Sequence, residues 1–154
     1  MFKIRDYIIR VLKSVIILLL GVMVVNVCWQ VFSRYVLNNP SRFTDELARY
    51  LMIWLAFFGS ALISKKNLHV TIDILPSSLS KKNKSRINTI NLVVIIFFTF
   101  LIFVIGGGNL MFISLELGQK SAALQVPLYL VYSCIPLSGC IIIFIKICEL
   151  IKIK

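Results

Sequence analysis

Four long apolar stretches, separated by short segments that hold nearly all of the charge, organise the chain. The first runs from Val15 to about Ser33, the second from about Leu47 to Ser64, the third from about Asn91 to Ser114 and the fourth from about Pro127 to Ile151. A hydrocarbon core about 30 Å thick takes about 20 residues of helix per crossing, so each stretch predicts a transmembrane helix. The expected fold is an all-α membrane protein in which residues 1–154 form a single four-helix membrane domain with short interfacial segments. Four crossings use roughly 80 residues. What remains is too short for a soluble catalytic domain, and no enzymatic activity is expected.

Composition points the same way. Apolar residues make up 59% of the 154 and charged residues 15%, against roughly 45–50% and 25% in an ordinary soluble domain. A net charge of +11 would suggest nucleic acid in a soluble protein, but its placement suggests membrane topology instead. Lys3, Arg5, Arg10 and Lys13 precede the first span, Lys65, Lys66, Lys81, Lys82, Lys84 and Arg86 fill the middle loop, and Lys146, Lys152 and Lys154 close the chain. Only Arg34, Arg42 and Lys120 fall in the other two loops, with Arg49 just inside the second span. The positive-inside rule then puts both termini and the middle loop in the cytoplasm, and no nucleic-acid partner is expected. The basic start imitates a signal peptide, yet the apolar run is too long and no A-x-A-like site follows, so an uncleaved helix is expected. Cys28, Cys134, Cys140 and Cys148 lie within or at the end of apolar runs, without a CxxC pair or a histidine at ligand spacing. They read as small packing residues, and neither a metal nor a cofactor is expected.

The informative polar residues gather around the outer loop between the first two spans. In Ser41-Arg42-Phe43-Thr44-Asp45-Glu46-Leu47-Ala48-Arg49-Tyr50, Thr44 is positioned as an N-cap, while Asp45 and Glu46 sit where the helix dipole favours negative charge. Asp45 reaches Arg49 at i+4 and Glu46 reaches it at i+3. Snorkelling, a partner-facing structural cluster and substrate contact are all compatible with this pattern. Asn26, Gln30, Ser33 and Arg34 form one helical stripe on the outer half of the first span. Polar side chains at that depth need a protein neighbour, either within this chain or on a second protein.

Elsewhere the polar signals are weaker. Ala56, Ser60 and Ser64, with Gly59 beside them, make a small-residue face that permits close helix approach. Gly106-Gly107-Gly108 in the third span marks either tight packing or a bend, because successive glycines weaken a helix. Pro127 suits a helix start, and Pro136 can kink the fourth span. The middle loop, Lys65-Lys66-Asn67-Leu68-His69-Val70-Thr71-Ile72-Asp73-Ile74-Leu75-Pro76, combines apolar residues with flanking lysines and suggests a segment on the inner membrane surface, in contact with lipid. His69 and Asp73 form either a proton pair or part of a solvated turn.

Three motifs together bring in a family. Arg34-Tyr35-Val36-Leu37-Asn38-Asn39-Pro40, then Thr44-Asp45-Glu46-Leu47-Ala48-Arg49-Tyr50 leading to Trp54, then Lys65-Lys66-x-x-His69-Val70-x-Ile72-Asp73-x-Leu75-Pro76 resemble the small membrane subunit of the TRAP (tripartite ATP-independent periplasmic) transporters. The likeness covers about residues 10–150 in span order and length, with its specific motifs in residues 34–76. Asp45 departs mildly from the longer acid usual in the family, which alters its pairing reach.

The resemblance implies a partner role in a bacterial inner membrane. In that family a periplasmic substrate-binding protein captures an organic acid, such as sialic acid or a C4-dicarboxylate, and a large multispan subunit holds the substrate and sodium sites. The small subunit binds the large one and enlarges the static scaffold of an elevator-type, sodium-coupled cycle. Arg34, Glu46, Arg49, Trp54, His69 and Asp73 carry over as interface or structural positions, none of them catalytic. A free-standing scaffold or assembly protein is the alternative. A small multidrug-type exporter would need an acid in its first span, and a quinone-linked disulfide oxidoreductase would need cysteine pairs in its outer loops. The sequence has neither.

Overall fold

The first helix, α1, spans Phe2–Tyr35, about 50 Å of helix at 1.5 Å per residue and far more than one crossing requires. It starts well before Val15 because its basic beginning is amphipathic. Ile9 and Leu12 are 7% and 4% exposed against the bundle, while Lys3, Arg10 and Lys13 face outward. This is a computed structural model, and it describes the backbone of residues 2–38, 41–64 and 81–153 and the side chains of residues 3–38, 41–64 and 87–151.

Helix α2 spans Arg42–Ile63 and has Ser41, in extended conformation, as its N-cap residue. Thr44 is therefore not the cap expected from the sequence. It lies inside the first turn, buried at 4% exposure, and its hydroxyl donates to the Ser41 carbonyl at 2.9 Å. Packing of Thr44 against α1 sets the helix start one turn earlier than cap chemistry suggests.

The third span is one continuous rod. Helix α3 covers Lys81–Thr99, a π-helical stretch covers Phe100–Gly106, and α4 covers Gly107–Glu116. It begins at Lys81 rather than near Asn91, so part of the expected middle loop is helical. The glycine run does not break it. A Cβ on Gly107 would come within 2.5 Å of Ile135 Cγ2, and one on Gly139 within 2.6 Å of Phe103 Cβ. Each glycine thus admits a neighbouring helix at a distance that alanine would not.

Helix α4 ends in a Schellman motif. The Gln119 amide donates to the Ser114 carbonyl and the Gly118 amide to Leu115, both at 3.1 Å, and Gly118 takes the positive φ of 58° that this ending needs. After the outer loop, α5 (Leu128–Tyr132) and α6 (Cys134–Ile153) make up the fourth span. The interruption at Ser133 has a local cause, since Pro136 has no amide to give the Tyr132 carbonyl one turn back. Pro127 stands as the N-cap residue of α5.

Helix α6 is the central column, touching α2, α3 and the π-helical stretch, while α1 leans mainly on α2. Leu12, Phe58, Ala61, Cys134 and Ile142 form the buried cluster, joined by the edge-on pairs Trp54–Phe58 and Phe57–Phe103 at 5.4 and 5.5 Å. Among the described residues, four helices are long and apolar enough to cross a membrane. Their outer surfaces stay apolar, with Leu18 66% and Val25 70% exposed. Exposed apolar surface on that scale suits a bilayer and not water, and the chain is a multi-pass, all-α membrane protein.

Candidate functional site

The polar residues collect at the end of the bundle where α1 meets α2 and where α4 connects to α5. Asn26, 7% exposed, donates through Nδ2 to the Thr44 carbonyl at 2.8 Å. A buried amide this deep in an apolar helix needs such a partner. One turn on, Gln30 Nε2 lies 3.4 Å from Asp45 Oδ1, a long bond, and the buried Ser33 hydroxyl turns back to the Gln30 carbonyl at 3.0 Å. The stripe thus joins α1 to the first turn of α2.

Glu46 has a partner that helical spacing did not suggest. Its carboxylate accepts the amides of Ala122, Ala123 and Leu124 at 3.1, 2.8 and 2.9 Å, as well as the Tyr50 hydroxyl at 3.1 Å. Three consecutive amides aimed at one anion make a nest. The expected i+3 contact from Glu46 to Arg49 does not form, because the loop takes both carboxylate oxygens. Among the described residues Arg49 pairs with Asp45, at 2.7 Å. The turn is shaped to present its amides: Ser121 N donates to the Val126 carbonyl at 2.9 Å, Leu128 N to Gln119 at 3.0 Å, and Gln125 takes a φ of 55°.

Around this latch lies an open cleft of about 440 Å³, lined by Gln30, Arg34, Ser41, Arg42, Asp45 and their neighbours. Arg34 is exposed, its guanidinium 6.0 Å from the Tyr35 ring centre. Trp54 lies apart from the cluster, against Phe58 in the bundle core. His69 and Asp73 fall outside the described residues.

Two features escaped the sequence reading. The loop amides of Ala122–Leu124 carry no side-chain signature; the small residues between Gly118 and Pro127 were the available hint of a shaped turn. Lys146, counted above as an inner-side charge, is 2% exposed and pairs with Glu149 at 3.0 Å. The acid three residues on was its signal.

Comparison with known proteins places this architecture. The family model described as "Tripartite ATP-independent periplasmic transporters, DctQ component" matches residues 23–153. A putative TRAP transporter small permease protein of Haemophilus influenzae is 35% identical over 79 residues, 51% of this chain and 49% of that protein. The sialic acid TRAP transporter small permease protein SiaQ of Vibrio cholerae is 37% identical over 54 residues, 35% of this chain and 31% of its own length. A second putative small permease protein of Haemophilus influenzae is 26% identical over 151 residues, 97% of this chain and 89% of that protein. The matched segments thus take in about half and about a third of the first two relatives but nearly all of the third. A family match running from the first span to the end of the fourth, over four packed apolar helices, means that the chain belongs to the DctQ component family of the tripartite ATP-independent periplasmic transporters.

Proposed function

We propose that this chain is the small membrane subunit of a sodium-coupled, binding-protein-dependent secondary transporter for organic acids, in which it binds the large membrane subunit and extends its static scaffold. The observation that carries this reading is where the polar groups are. Asn26, Gln30, Asp45, Glu46 and Arg49 are engaged with one another or with loop amides at one end of the bundle. The middle is packed with Trp54, Phe57, Phe58, Phe103 and Ile142. A solute pathway needs polar groups near the bilayer midplane. This chain offers aromatic and aliphatic packing there, so the substrate and sodium sites belong to its partner.

The remaining parts of the proposal follow from it. The chain sits in the bacterial inner membrane with both termini cytoplasmic, as the basic residues favour, and the Glu46 latch faces the periplasm. The name of the Vibrio cholerae relative supports an acid of the sialic acid type. Arg34, Glu46, Arg49, Trp54, His69 and Asp73 serve as interface or structural positions.

Proteoliposomes test this directly. Vesicles holding this chain alone should take up no organic acid in a sodium gradient, and uptake should appear when the large subunit and the binding protein are added. Sodium-dependent uptake by the chain alone, or full uptake by the other two components without it, would overturn the reading.

A further inference from the structure

We infer that the cleft at the α1–α2 end is a binding site for the phosphodiester headgroup of a membrane phospholipid, with Arg34 and Arg42 as its cationic walls. Three arginines, Arg34, Arg42 and Arg49, line it together with Asp45 and Glu46. Both acids already have partners other than Arg34 and Arg42. Glu46 is committed to the loop amides and Tyr50, and Asp45 pairs with Arg49 and accepts from Gln30. Among the described residues no carboxylate pairs with Arg34 or Arg42. Two exposed guanidinium groups therefore open onto one cleft in which positive charge exceeds negative, and a phosphate is an anion whose oxygens match their forked donors.

Depth and shape favour a lipid as the source of that phosphate. The α1 wall of the cleft runs from Gln30 to Arg34, about 6 Å along the helix axis. The headgroup layer on each side of a bilayer is roughly 5 to 7.5 Å thick. Below Arg34 on the same side of α1, Val31, Val27 and Val24 are 52%, 39% and 54% exposed, an apolar track along which an acyl chain can lie. At about 440 Å³ the open cleft is large enough to admit a phosphate and its glycerol. This site does not depend on the scaffold role, because either leaflet presents phosphodiesters to the end of a helix.

Native mass spectrometry of the full chain in detergent, with added palmitoyl-oleoyl phosphatidylglycerol, reads lipid retention directly. Wild type should retain one lipid that the Arg34→Gln/Arg42→Gln variant binds about tenfold more weakly, the change expected for a loss of about 1.4 kcal/mol. The variant should elute and show helical circular dichroism like wild type, since both side chains are exposed. Arg34→Lys/Arg42→Lys should restore part of the retention. Lys3→Gln/Arg10→Gln, at the other end of α1, should leave this lipid in place. Equal retention by the glutamine variant would overturn the site. Displacement by an equal concentration of glycerophosphate would overturn the lipid and point to a free phosphate, and release of the lipid on adding the large subunit would point to an acidic partner side chain instead.

Discussion

At the scale of single residues, two acids adjacent in sequence do different work. Asp45 and Arg49 are 51% and 71% exposed, and an exposed i,i+4 pair contributes about 0.3–0.5 kcal/mol. Arg49→Ala should therefore shift unfolding in detergent by less than about 1 kcal/mol, and the shift should vanish at high salt. Glu46 ties α2 directly to the 122–124 turn through three backbone amides. Glu46→Ala should free that turn, and trypsin should cut after Lys120 several-fold faster than in wild type or Arg49→Ala; equal cleavage rates in all three would mean that other contacts hold the loop. The Lys146–Glu149 pair obeys a harsher rule, because the ammonium is buried. Glu149→Ala should cost roughly 3 to 5 kcal/mol by stranding that charge, whereas Lys146→Met/Glu149→Leu should be neutral or stabilising. Thermal unfolding of the two variants side by side checks the sign.

At the scale of elements, the spans follow from local pattern but their ends and interruptions do not. Hydropathy locates four helices within a few residues of their apolar centres. It misses the beginnings of α1 and α3, where basic residues dilute the average while Ile9 and Leu12 are still buried by the bundle. The glycines show the same limit. Gly106, Gly107 and Gly108 look alike in sequence, yet only at Gly107 would an added Cβ run into a neighbouring helix, at Ile135 and Pro136. Overpacking of that kind costs typically about 1–3 kcal/mol, so Gly107→Val and Gly139→Val should lower the unfolding midpoint. Gly108→Ala meets nothing within 4 Å and should gain up to about 1 kcal/mol from helix propensity. A Gly108→Ala loss equal to that of Gly107→Val would show that the helix backbone, not the neighbouring helix, sets the need for glycine.

At the scale of the whole molecule, charge asymmetry predicts an orientation in the membrane that labelling can check. Single cysteines at Asn38 and Lys82 in a cysteine-free background should label from opposite faces of the membrane in intact cells, Asn38 from the periplasm. Outside labelling of Lys82 would reverse the orientation and move the Glu46 latch and its cleft to the cytoplasm. The helices bury little of their own apolar surface, with much of α1 and the third rod facing outward. That leaves wide apolar faces for lipid and for a large partner, while the internal contacts hold the bundle's shape.

The sequence by itself determined the class of this protein, because span length, hydropathy and charge placement are properties of contiguous residues read against the thickness of a bilayer. It also carried the family likeness in residues 34–76, and it drew attention to Asn26, Gln30, Asp45, Glu46 and Arg49 as polar groups that needed partners. Which partners they took was decided only by the tertiary structure. Glu46 meets amides 76 to 78 residues away, and Asn26 meets a carbonyl 18 residues away across the first helix pair. Helical periodicity ranks neighbours within one element, so it favoured Arg49 for Glu46. The crossing of α2 with the α4–α5 loop supplied three amides to the same carboxylate. Three directed donors on one anion outcompete a single flexible guanidinium, and that arrangement exists only once the helices have packed.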